Sequence, residues 1–97
     1  MVEVRQVIWD GKPTQYFLFS NGDLYNINTH RSAMGTKSNG YLRYTLNIEG
    51  QTISVAQHRL LAEYFIENDD PINKTVVHHI NGCTQDNRLE NLEWVSQ

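Results

Sequence analysis

The chain has 97 residues, one domain's worth, and at this size only roughly 60–65% of the unfolded surface can be buried, so one modest core is expected. Apolar residues make up 39% and charged residues 20%, with no low-complexity stretch and no long like-charge block, which favours folding over disorder. A formal net charge of −3 weighs against strong binding of nucleic acid by the chain alone, because affinity for phosphate comes largely from Lys and Arg displacing counterions.

No apolar run approaches the roughly 18–20 residues of a membrane span, and Met1-Val2-Glu3-Val4-Arg5 lacks the basic-then-apolar order of a signal peptide. The expectation is an intracellular protein with no membrane partner. Cys83 is the sole cysteine, which excludes an internal disulfide and a multi-thiolate zinc cage built from one chain. The basic residues Arg5, Lys12, Arg31, Lys37, Arg43, Arg59, Lys74 and Arg88 are dispersed, and the acidic cluster Glu67 to Asp70 reads as a solvated loop.

From Tyr16 the chain reads as short strands. Tyr16 to Ser20 and Leu24 to Ile27 flank Asn21-Gly22-Asp23, where Asn-Gly supplies the positive φ of a tight hairpin. A polar loop runs from Asn28 to Asn39. Tyr41 to Leu46 nearly alternates apolar and polar residues, and with Glu49-Gly50 as turn and Thr52 to Val55 as partner it makes a second hairpin. The first half is therefore an antiparallel meander.

Between Val55 and Glu67 the period changes: Leu60, Leu61, Tyr64 and Phe65 recur at helical spacing, with Gln57, Arg59, Glu63 and Glu67 on the other side. The helix should end near Asn68, ahead of Pro71. Thr75 to Ile80 is β-branched and strand-like, closed by the turn Asn81-Gly82. Asp86 could cap a short helical turn through Arg88 to Leu92, and Glu93 to Ser96 returns as a strand.

Chemistry concentrates where His78 and His79 end a strand, followed by Asn81-Gly82, Asn87 and Asn91. Neighbours in a strand point to opposite faces, so both imidazoles enter one site only if the strand twists or ends there. Spacing alone also fits one packed ring and one solvated ring, with the Asn residues as turn chemistry.

The run Val76-Val77-His78-His79-Ile80-Asn81-Gly82, continued by Asp86-Asn87-Arg88-Leu89-Glu90-Asn91-Leu92-Glu93-Trp94-Val95-Ser96, resembles the HNH signature of phage and intron homing endonucleases. Gln57-His58-Arg59-Leu60-Leu61-Ala62-Glu63-Tyr64-Phe65-Ile66 is similar to the helix that precedes that signature. Phe19 to Tyr25 and Gly40 to Arg43 look like the small β module, often called NUMOD4-like, fused to these nucleases. The resemblance implies an α+β fold: an antiparallel β module over residues 1–56, then an HNH-like unit over 57–97, packed as one continuous domain.

Carried over residue by residue, the resemblance implies metal-dependent endonuclease chemistry on DNA, most simply nicking, in the cytoplasm of a phage or bacterial host cell. His79 matches the histidine that acts as general base on the attacking water. His78 matches the ligand of one divalent cation, Mg²⁺, Mn²⁺ or similar. Asn91 matches the asparagine that ties the site's loop together and orients the base. Arg43, Arg59 and Arg88 are the candidates for phosphate contacts. In the family a further helix presents the second metal ligand, and here the sequence stops at Gln97. The expectation is thus a ββ(α)-metal-like unit lacking its last helix, with Asn87, Asn91 or a partner chain, including a second copy, filling the place. The alternative is a catalytically inactive HNH-fold binding protein, such as a phage inhibitor or regulator of a host protein. His58 is expected to pack against the histidine strand or cap the helix, His30 to face solvent, and Trp9 and Trp94 to anchor packing.

Overall fold

The structure is a computed structural model and describes residues 2–97. Its elements are β1 (Val4–Trp9), β2 (Lys12–Phe19), β3 (Leu24–Asn26), β4 (Arg31–Ala33), β5 (Thr36–Ser38), β6 (Tyr41–Ile48), β7 (Gln51–Ala56), α1 (Gln57–Phe65), β8 (Val76–His79), a 3₁₀ turn (Leu89–Asn91) and β9 (Leu92–Val95). The strands form three antiparallel sheets in the orders β1-β2-β3-β4, β5-β6-β7 and β8-β9. This is the expected α+β class.

The first sheet begins earlier than Tyr16. Asp10-Gly11, with φ of 53° and 74°, joins β1 to β2 so that Trp9 pairs with Lys12, as a two-residue turn with both residues at positive φ does. The same geometry recurs at Asn39-Gly40 and Glu49-Gly50. Asn21-Gly22 is different: Gly22 alone has positive φ, and the chain makes a wider loop in which Phe19 donates to Asp23 O. The expected polar loop from Asn28 to Asn39 holds the short strands β4 and β5.

The alternation in β6 sends Tyr44 and Leu46 into the core, where they are 1% and 0% exposed, and leaves Thr45 and Asn47 outside. Helix α1 covers them with Leu60, Leu61 and Ala62, and its other contacts reach β8 and β9 through Val77 and Leu92. Full burial of each such leucine contributes about 2 kcal/mol. The helix is thus the common wall of the β module and the histidine hairpin.

Two expectations for α1 are corrected. The helical period assigns Gln57 to the polar side, but the residue is 2% exposed, because its amide is consumed by polar groups of the β module. The helix also ends at Phe65 rather than near Asn68: Ile66 turns extended and its carbonyl accepts the Trp94 indole N–H at 3.1 Å, binding the chain to β9. The 3₁₀ turn, too, begins without a side-chain cap; Asp86 is instead paired with Arg88.

Candidate active site

Strand β8 pairs with β9 so that Val77 faces Trp94, His78 faces Glu93 and His79 faces Leu92. The pleat therefore separates the two histidines. Val77 and His79 turn inward, while His78 is exposed. His78 Nδ1 lies 3.1 Å from Glu93 Oε2 across the ladder. His79 is 6% exposed, and its Nε2 lies 2.6 Å from Asn87 Oδ1. Its Nδ1 has no hydrogen-bond partner among the described residues.

The rings of Tyr41, His58 and His79 gather beside this hairpin. His58 lies 4.9 Å from His79 and 5.4 Å from Tyr41, centroid to centroid. A cleft of about 550 Å³ is lined by Tyr41, Arg43, His58, His78, His79 and Thr84, among others. Both histidines line this cleft although they start on opposite faces of the strand. Burial, with the neighbouring His79, Arg59 and Arg43, lowers the His58 pKa from 6.5 to about 4, so this ring is neutral near neutral pH.

The loop that follows β8 is tied by amides. Asn91, 4% exposed, donates through Nδ2 to Asn81 Oδ1 at 3.0 Å and to Asp86 O at 2.8 Å, and its Oδ1 accepts from Asn81 N at 3.0 Å. The side chain that touches the buried imidazole is Asn87, not Asn91. Asn87 in turn donates through Nδ2 to Gln57 Oε1 at 2.7 Å. Gln57 Nε2 faces Met34 O at 2.8 Å, Tyr44 Oη at 2.9 Å and Gly22 O at 3.2 Å. Gly22 and Gly35 permit this approach, since a Cβ on either would come within 3.4 Å of Gln57 Nε2. Sequence does not single out Gln57, because a lone polar residue at a helix start carries no signal of burial, and Asn87 stands out only as part of the motif.

The three arginines separate. Arg43 lines the histidine cleft, with Nε held by Ser54 Oγ at 2.7 Å. Arg59 stacks over Trp94, its guanidinium carbon 5.7 Å from the ring, pairs with Glu63 and donates to Thr75 O. Arg88 is clamped by Asp86 at 2.8 Å and Glu90 at 3.3 Å, outside the histidine cleft. The Arg88 guanidinium holds the Asp86 carboxyl well below the usual carboxylate range.

Among the described residues no group of three or more His, Cys, Asp or Glu stands where it could hold a metal ion. His78 and Glu93 do offer an imidazole and a carboxylate side by side, with side chains 53% and 46% exposed. This two-donor set fits an ion of the Mg²⁺ or Mn²⁺ kind that takes its remaining oxygens from water and phosphate, and it does not fit a closed structural site. No helix among the described residues is long and apolar enough to cross a membrane.

Residues 55–97, which hold the strand pair with its buried and exposed histidines, the asparagine-tied loop and the helix packed against them, match the family model described as HNH endonuclease. Over that segment the chain resembles the HNH endonuclease family. It is 40% identical over 99 residues to an uncharacterized HNH endonuclease, L247, of Acanthamoeba polyphaga mimivirus, covering 95% of this chain and 24% of that protein. The fold matches a structure solved for DNA binding and cleavage by the HNH homing endonuclease I-HmuI, with a TM-score of 0.82 and 28% identity over 98% of this chain and 53% of that one. The chain thus spans about a quarter of the curated relative and about half of the solved one.

Proposed function

We propose that this chain carries the hydrolytic site of a metal-dependent DNA endonuclease that nicks one strand. The observation that supports it best is the state of His79: a ring held at Nε2 by Asn87, with Nδ1 unpartnered, in an open cleft shared with the exposed His78. With Nε2 engaged as donor, the Nδ1 lone pair takes the proton of a water. The oxygen of that water bonds to phosphorus, the bond from phosphorus to the 3′ oxygen breaks, that oxygen takes up a proton from solvent, and the products are a 5′ phosphate and a 3′ hydroxyl.

His78, with Glu93 beside it, would hold the divalent cation, which when bound supplies positive charge for the phosphate and the leaving oxygen. Asn91 keeps the loop that carries Asn87 in register with β8. Arg43 is the phosphate contact at the cleft, and Arg59 and Arg88 are auxiliary contacts outside it. The carboxylates on Arg88 reduce what it offers to DNA.

The test is relaxation of supercoiled plasmid by the purified protein in Mg²⁺, Mn²⁺ and Ni²⁺, beside His79→Ala. Nicking that needs the ion and vanishes in the variant supports the reading; a folded protein that leaves plasmid intact in all three ions ends it. A second reading, an inactive HNH-fold protein that binds another protein or pairs with a second copy, is favoured by the net charge of −3 and by the two-donor ion site. A stoichiometric protein complex of a chain that does not cut DNA is its signature.

A further inference from the structure

We infer that two backbone carbonyls of the β module set the tautomer of His79 through the side chains of Gln57 and Asn87. The amides at 57 and 87 are thereby positioning residues for the proposed base. The inference rests on the nuclease reading for its catalytic meaning but not for its structural content.

A backbone carbonyl can only accept, so the Gln57 amide end that faces Gly22 O and Met34 O must be the NH₂ group. Tyr44 Oη agrees with this orientation. Its own hydrogen goes to Gly22 O, and its oxygen accepts from Gln57 Nε2 at 2.9 Å. Burial raises the Tyr44 hydroxyl well above its ordinary range, so it keeps that hydrogen at any working pH.

With Nε2 committed, Gln57 presents Oε1 to Asn87, and only the NH₂ end of Asn87 can meet it, at 2.7 Å. Asn87 must then turn Oδ1 toward His79 Nε2, 2.6 Å away. An acceptor there requires His79 to carry its hydrogen on Nε2, which leaves the Nδ1 lone pair free. The relay runs from the loop after β2 and the residue preceding Gly35, through the first residue of α1, to the end of β8. Without Gln57, Asn87 is free to rotate its amide by half a turn and donate to Nε2, and the ring then moves its hydrogen to Nδ1, the atom needed as base. A neutral ring in the wrong tautomer is a known route to loss of general-base catalysis with the geometry intact.

The experiment is long-range ¹⁵N–¹H NMR of the histidine rings in the full chain, with no divalent ion added and in alkaline buffer, using His79→Ala to assign the signal. Wild type should show a pyrrole-type Nε2 and a pyridine-type Nδ1. Tyr44→Phe should leave this unchanged, since both carbonyls still orient Gln57. Gln57→Met should bring in the opposite tautomer and lower kcat about 10- to 100-fold, with KM little altered. A wild-type ring carrying its hydrogen on Nδ1, or a folded Gln57→Met protein with the wild-type pattern, overturns the inference.

If Gln57→Met does not fold, half-buried position 87 decides. Asn87→Asp should keep the Nε2 hydrogen, because a carboxylate can only accept, and Asn87→Leu should lose the preference. Equal spectra for these two variants overturn the relay. Failure of the wild type to nick DNA removes the nuclease reading and the kcat comparison, whereas the tautomer spectra still decide the relay.

Discussion

His58 packs 4.9 Å from His79, centroid to centroid, with its Nδ1 buried and without a hydrogen-bond partner among the described residues, so the ring nearest the proposed base is held neutral by the fold. Its pKa near 4 lies below the ordinary 6.5, and the unfolded chain therefore binds this proton more readily. Stability from His58 is complete above about pH 6.5 and is lost as the pH falls toward 4, a loss on the order of 2 kcal/mol after allowing for partial exposure of the ring. Urea unfolding of wild type and His58→Phe across this range measures it. The variant should show a shallower decline, and parallel curves would refute the assignment.

Asn91→Ala removes three hydrogen bonds from a buried position and leaves Asn81 N and Asp86 O without their partner. A destabilisation of about 2–3 kcal/mol is expected, and since about 1 kcal/mol moves the Tm of so small a domain by roughly 4–8 °C, the midpoint should drop by more than about 8 °C. Thermal unfolding gives the answer directly. A midpoint within a few degrees of wild type would mean that the loop does not depend on Asn91.

The arginines should separate in DNA binding. Arg43→Ala should weaken binding and lower the slope of log affinity against log salt by about 0.9, the loss of one phosphate contact. Arg88→Ala should change the slope by much less, because Asp86 and Glu90 already neutralise its guanidinium. Titration by fluorescence anisotropy at several salt concentrations tests both, and an Arg88 effect equal to that of Arg43 would show that the clamp opens on DNA.

For the ion, His78→Ala should reduce Mn²⁺ affinity about tenfold or more, and Glu93→Gln should do the same if the carboxylate ligates. Electron paramagnetic resonance of free Mn²⁺ reads the bound fraction whether or not the protein cuts DNA. If Glu93→Gln binds as wild type while His78→Ala does not, Glu93 merely orients the imidazole.

Much of this architecture was legible from local pattern. The alternation from Tyr41 to Leu46, the helical period through Leu60, Leu61, Tyr64 and Phe65, and the β-branched run ending in His78-His79 each reflect one face that must be buried. Asp10-Gly11 was an equally strong turn signal and reveals the hairpin of β1 and β2 once its role is seen. The wide loop at Asn21-Gly22 was not legible, because the same dipeptide serves more than one turn.

The sequence by itself determined the α+β class, the order of meander, helix and histidine strand, and the motif residues His78, His79, Asn87 and Asn91, since these depend on neighbours in the chain. Tertiary structure alone decided that Gln57 is buried, that Asn87 rather than Asn91 holds His79, and that Arg43 rather than Arg59 or Arg88 lines the histidine cleft. Those outcomes turn on partners far apart in sequence: Gly22 and Met34 orient Gln57, Gln57 orients Asn87, and Asn87 meets His79. Hydrogen-bond direction passes through space from one acceptor to the next, and no periodicity along the chain encodes it.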